Sequence, residues 1–146
     1  MTQRFNIEQE VPQAYKAMYA LVASLNHISI TPIQKELIKI RASQINSCSF
    51  CINMHTKEAL KIGETEQRIF LISAWRETDL FTEEEKAILA LTEEVTLIHQ
   101  QGLSDSTYQL LGKFFSKQTI AEMIIAIVLI NSWNRIAVSS RLPLGE

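Results

Sequence analysis

Three side chains in one short segment have the types and the spacing for thiol chemistry. They are Cys48, Cys51 and His55, in the string Cys48-Ser49-Phe50-Cys51-Ile52-Asn53-Met54-His55. On a helix of about 3.6 residues per turn, the two cysteines stand about 60° apart and His55 about 40° from Cys51. All three therefore share a face, and Cys51 and His55 are i, i+4 neighbours. Cys48 is expected in the first turn, where unpaired N–H groups and the helix dipole favour a thiolate. A free thiol titrates near ~8.5, so it needs a base or an electropositive helix end to react at neutral pH. A second cysteine one turn away can capture a sulfenic acid before it over-oxidises. An external dithiol then reopens the disulfide by exchange.

Other chemistries fit parts of this pattern. Cys48, Cys51 and His55 could ligate zinc, but structural zinc usually takes four ligands, often as two chelating pairs. No second C-x-x-C or H-x-x-x-H occurs, and His27 and His99 stand alone. Two ordinary buried cysteines are the plainest alternative, since cysteine is often a core residue. Haem attachment of the C-x-x-C-H type is excluded because Ile52 occupies the histidine position.

The elements that must position these groups read as helices. Met18, Leu21, Val22 and Leu25 recur at helical spacing and predict a helix over Pro12–Ser24. Thr31-Pro32-Ile33-Gln34 is a capping box with proline in the first turn, opening a second helix. The polar stretch Ala42–Ser47 interrupts that pattern, and Asn46 or Ser47 is expected to cap the cysteine helix, which stops at Gly63. Thr65 caps a fourth helix reaching Trp75, and Thr82-Glu83-Glu84-Glu85 is a second capping box. Ser104 or Asp105 opens a sixth helix, and a last one runs from Lys117 to Val138. The expected class is all-α, a single domain over residues 1–146 with six or seven helices. The last helix is apolar on nearly every side between Met123 and Ile130, which suits the centre of a core or a subunit contact. An oligomer is therefore expected.

Composition bounds the function. The chain has 146 residues, 47% hydrophobic and 21% charged, with a formal net charge of −2, so nothing attracts it generally to nucleic acid or an anionic membrane. No apolar stretch of the N-terminal residues suggests a secretory signal. The longest unbroken apolar run, residues 123–130, falls short of the ~20 residues that span a bilayer. The expectation is a cytoplasmic protein with no membrane partner, in which a lone C-x-x-C is more often catalytic or metal-binding than a structural staple.

A longer pattern carries a resemblance. Glu36, eleven intervening residues, Cys48-x-x-Cys51, three more, then His55 resembles the AhpD-like alkylhydroperoxidases of the carboxymuconolactone decarboxylase superfamily. The strings "ELIKIRASQINSCSFCINMHTKEA", "AWRETDLFTEEEKAILALTEEVT" and "INSWNR" extend it over most of the chain. The resemblance implies an all-helical homo-oligomer, a trimer or hexamer, that reduces alkyl hydroperoxides. It implies that Cys51 is the peroxidatic cysteine and Cys48 the resolving one, with Glu36 and His55 as a proton relay. It implies no metal or organic cofactor, and a dithiol reductant such as a lipoyl group or a thioredoxin-like protein. Decarboxylase relatives lack the cysteine pair.

Helix position alone nominates Cys48 as the more acidic thiol, whereas proximity to His55 nominates Cys51. A positioned base also directs the proton transfer that peroxide cleavage needs, which decides for Cys51. Glu36 would point about 120° from Cys48 on one unbroken helix, so a bend at Asn46-Ser47 is required. Trp75 and Trp133 are expected as core or interface anchors. Ser132, Asn134 and Arg135 interrupt the apolar last helix and are candidates for ligand binding, a channel, an ion pair or a subunit contact.

Overall fold

A computed structural model describes residues 2–144. Eight α-helices and one 3-10 helix account for the regular structure of the described residues. They are α1 (Ile7–Glu10), α2 (Pro12–Ser24), α3 (Pro32–Ile45), α4 (Ser49–Lys61), α5 (Glu66–Leu71), the 3-10 helix Ile72–Glu77, α6 (Glu83–Thr96), α7 (Asp105–Leu111) and α8 (Lys117–Ser140). The all-α class is as expected. Both capping boxes form: Thr31 with Gln34, and Thr82 with Glu85. Each satisfies two N–H groups that a helix start would otherwise leave open.

Three differences from the sequence reading have local causes. The single turn α1, capped by Asn6, is too short to show periodicity. The fourth helix loses α geometry after Leu71 and tightens into the 3-10 segment, with Ala74 outside helical angles. The polar stretch before the cysteines does not break α3. Ala42 and Ser43 are fully buried, and the helix runs on to Ile45.

Neither Asn46 nor Ser47 caps the cysteine helix; both end α3 instead. Ser47 takes the left-handed conformation at φ 53°. Its N–H reaches Gln44 O (3.2 Å) while Cys48 N–H reaches Ser43 O (2.9 Å). These two bonds are the Schellman pattern, formed here without the usual glycine. A non-glycine in that region costs roughly 1 kcal/mol or more. The chain reverses sharply enough that α4 folds back along α3. Gly63, at φ 100°, makes the same stop after α4.

The core has two main clusters that share α3 and α6. Ile38, Ala42, Ile88 and Leu91 pack with Leu111 of α7 and with Met123, Ile127 and Ile130 of α8. On the other side Leu37, Ile40 and Leu89 pack with Ala59, Ile69, Ile72 and Trp75. Fully burying one such side chain contributes about 1.5–3 kcal/mol. A smaller cluster joins Cys48 and Cys51 to Ala137, flanked by Phe50 and Leu142.

By length and composition α8 is apolar enough to cross a membrane, with a mean hydropathy of 1.4 over its best 18-residue window. The unbroken-run criterion overlooked this because Asn131, Ser132 and Asn134 interrupt the run without adding charge. In the fold α8 packs on α2, α3, α4 and α6. Asn134 is fully buried, donating to Ser43 Oγ and accepting from Asn46 Nδ2 (both 2.9 Å). By contrast, α2 buries no residue fully.

Candidate active site

The turn that ends α3 starts α4 at Cys48. Cys48 is the N-cap, one position before the first turn where it was expected, and its Sγ accepts from Cys51 N–H at 3.4 Å. It is joined to Cys51 as a disulfide with the Cα atoms 5.4 Å apart. Both are nearly inaccessible, 1% and 2% exposed. The pair sits where α4 N–H groups have no helical partner, an environment that favours a thiolate on reduction.

His55 lies one turn beyond Cys51 on α4, and Glu36 faces it from α3. His55 Nδ1 donates to Glu36 Oε2 at 2.9 Å, a contact between residues 19 apart in the chain. Lys39, one turn along α3, donates from Nζ to Glu36 Oε1 at 2.7 Å. Burial pushes the Glu36 carboxyl up, but the hydrogen bonds from His55 and Lys39 outweigh it and hold the group below the usual carboxylate range. Glu36 is therefore ionised at neutral pH and accepts only, which assigns the proton to Nδ1. With Nδ1 committed to Glu36, Nε2 is the ring nitrogen left to exchange a proton. Glu36, Cys51 and His55 are thus brought together, with Cys48 bonded behind them.

A cavity of about 660 Å³ opens over Cys51 and His55, between α2, α3, α4 and α8. Its far wall is aromatic. Tyr15 and Tyr19 of α2 pack edge-on to Trp133, with ring centroids 5.5 Å away in each case. Phe50 and Met54 also line it. The hydroxyls of Tyr15 and Tyr19 approach to 3.4 Å. That hydrogen bond, with some burial, pushes Tyr15 up to about 12, so it stays protonated. Substrates of this volume class fit mostly apolar cavities with a few convergent polar groups. Among the described residues, no cluster of three or more His, Cys, Asp or Glu side chains is arranged as a metal site.

The remaining candidates separate. Trp75 is a core anchor, donating from Nε1 to Glu93 Oε1 at 2.8 Å. Trp133 is a wall of the cavity. Asn134 is a buried structural amide, Ser132 bonds back to Val128 O, and Arg135 bonds Asn131, so none of the three lines the cavity. The sequence reading missed Lys39 and the two tyrosines. Lys39 carried a signal, since it stands three residues after Glu36 on the same helix. The tyrosines carried none, because α2 reads as an ordinary amphipathic helix.

Fold and site together define an all-helical protein with a dithiol at a helix start and a Glu–His pair beside it. The model of the carboxymuconolactone decarboxylase family matches residues 9–94. The chain is 41% identical over 139 residues to the uncharacterized protein YdfG of Bacillus subtilis, covering 95% of both. It superposes with a TM-score of 0.94 and 39% identity on ATU0492 of Agrobacterium tumefaciens, a protein of unknown function suggested to be the antioxidant-defence protein AhpD, over 99% of each chain. The debrominase Bmp8, solved with 2,3,4-tribromopyrrole, shares the fold at 16% identity and a TM-score of 0.81, over 94% of this chain and 73% of its own. The chain belongs to the carboxymuconolactone decarboxylase family and is an AhpD-like member of it.

Proposed function

We propose that this chain is a thiol peroxidase that reduces alkyl hydroperoxides. The observation that carries the reading is that Cys51 and His55 line one apolar cavity while Glu36 orients the imidazole from behind. His55 takes the Cys51 proton. The thiolate attacks the terminal peroxide oxygen, the O–O bond breaks, and the alcohol leaves with a proton returned by the imidazole. Cys51 becomes a sulfenic acid. Cys48 displaces its hydroxyl as water and forms the disulfide. A dithiol then reduces the pair and leaves as its own disulfide. The aromatic wall receives the alkyl group, which favours organic peroxides over hydrogen peroxide.

The chemistry needs no metal or organic cofactor beyond the external dithiol. The working form is a cytoplasmic homo-oligomer, a trimer or hexamer, and the exposed Ile125 and Val128 of α8 supply an apolar face for it. A general disulfide oxidoreductase is disfavoured by the burial of both sulfurs, which keeps protein disulfides away.

Hydroperoxide consumption with a dithiol tests the reading in wild type, Cys48→Ser and Cys51→Ser. Cys51→Ser is expected to react with no peroxide, and Cys48→Ser to form a trappable sulfenic acid. Peroxide reactivity surviving in Cys51→Ser, or one zinc held tightly per reduced chain, would sink it.

A further inference from the structure

The disulfide lies in a wall between two cavities. Cys51 lines the cavity already described, and Cys48 does not. Cys48 lines a second cavity of about 750 Å³, from which Cys51 and His55 are absent. Phe50, Ala137 and Leu142 line both and form the partition. The two cysteines thus border different spaces although they are bonded to one another.

The second cavity differs in charge. It lies between the start of α4 and the end of α8, and two arginines line it, Arg4 and Arg141. Among the described residues no acid joins them there. Both are held in place by backbone. Arg4 N–H donates to Ser140 O at 2.9 Å and its Nη1 to Ser139 O at 3.2 Å. Arg141 caps α8 in the left-handed conformation at φ 55°.

Thiol–disulfide exchange is faster when the leaving sulfur is the better-stabilised thiolate. The helix-start N–H reaches Cys48 Sγ, but Cys51 has His55 one turn away on its own helix, a group that can hand a proton to the departing sulfur, so Cys51 is the better leaving group. Attack must then fall on Cys48, and Cys48 is reached from the second cavity.

From this we infer that the reductant is a small anionic dithiol that approaches through the second cavity, binds at Arg4 and Arg141, and attacks Cys48 Sγ. The inference rests on the redox reading of the cysteine pair. One thiolate of the reductant bonds to Cys48 Sγ as the Cys48–Cys51 bond breaks, and Cys51 departs as a thiolate that takes up a proton. The second thiol of the reductant then displaces Cys48, which leaves as a thiol, and the reductant departs as a cyclic disulfide. Two thiols are oxidised and two are regenerated. Oxidant and reductant use opposite faces of one bond, so neither need leave before the other binds.

Dihydrolipoate and dihydrolipoamide test the charge requirement, because they differ by one carboxylate. The oxidised protein is mixed rapidly with each, and disulfide loss is followed by alkylation and mass. Wild type is expected to react roughly three- to tenfold faster with dihydrolipoate at low salt. The ratio should fall to about one in the Arg4→Gln/Arg141→Gln double variant and in molar salt. Dihydrolipoamide in the same variant serves as the internal control for folding. In a second arm, mercaptosuccinate is added, the reaction is quenched in acid, and tandem mass spectrometry locates the mixed disulfide, expected on Cys48. Equal rates with both dithiols in wild type, or an adduct on Cys51, would overturn the inference. If the charge preference and the Cys48 adduct appear but the reduced protein consumes no hydroperoxide, the peroxidase reading fails and the two-sided arrangement stands.

Discussion

Glu36, buried on α3, and Glu93, part-buried on α6, are both carboxylates of core helices, and both are held below the usual range. In each, burial pushes the group up and hydrogen bonds from its partners pull it down further. Their partners differ. Glu93 is surrounded by Arg41 at 2.8 Å, by the Trp75 indole and by Arg76. None of these changes protonation near neutral pH. Glu36 is shared between Lys39 and His55, and His55 opens onto a cavity that holds a sulfur. Burial and a displaced pKa therefore do not distinguish a structural carboxylate from a working one. A titratable partner facing a cavity does.

The largest expected effect comes from breaking the structural centre. Glu93→Ala leaves Arg41 part-buried and unpaired and strips the acceptor from Trp75. Removing one partner of such a pair costs about 3 kcal/mol or more. For a chain of this length that is a drop of roughly 10 °C in Tm, read by calorimetry. The folded fraction should keep its thiol reactivity; a selective loss of peroxide rate with Tm unchanged would erase the contrast.

The converse substitution is Glu36→Gln. It keeps the shape and a hydrogen-bond acceptor but removes the charge that orients the imidazole. The peroxide step is expected to slow on the order of 10²-fold, measured by stopped-flow oxidation of the reduced protein. Its pH–rate profile should also change form, a shift that a merely structural residue would not produce. A Tm loss larger than that of Glu93→Ala would reverse the assignment.

Acid should destabilise the protein through both centres. The folded pKa of each carboxylate lies below its unfolded value of about 4.3. Their stabilisation is therefore complete above the unfolded value and is lost as pH falls through the folded one. Chemical denaturation between neutral pH and pH 3 should show a decline confined to the acid end. Glu93→Gln should flatten that decline, and a wild-type stability independent of pH in this window would contradict both shifts.

The smallest effect belongs to the aromatic wall. Trp133→Ala should raise KM for a bulky alkyl hydroperoxide by roughly 5–10-fold, with hydrogen peroxide little affected. An equal loss for both peroxides would mean that the wall supports the fold and does not sort substrates.

Much of the scaffold was legible because its signals are local. Thr31 with Gln34 and Thr82 with Glu85 form the expected boxes, since both partners lie within one turn. Ser47 misled because a left-handed stop is normally marked by glycine, and here the part-buried anchor of Asn46 to Asn131 and Asn134 holds the turn instead. Lys39 and the tyrosines acquire roles only through what packs opposite them.

The sequence by itself determined that Cys51 and His55 share a helix face, because i, i+4 spacing is a property of the helix alone. It also supplied Glu36, through a pattern of spacings longer than any local rule. Only the tertiary structure decided that Glu36 reaches His55, that Cys48 caps α4 without entering its first turn, and that the two cysteines line separate cavities. Those outcomes depend on how α3, α4 and α8 pack after a reversal at Ser47. Packing across residues 19 or more apart is settled by competition for burial over the whole core, which no single stretch of sequence contains.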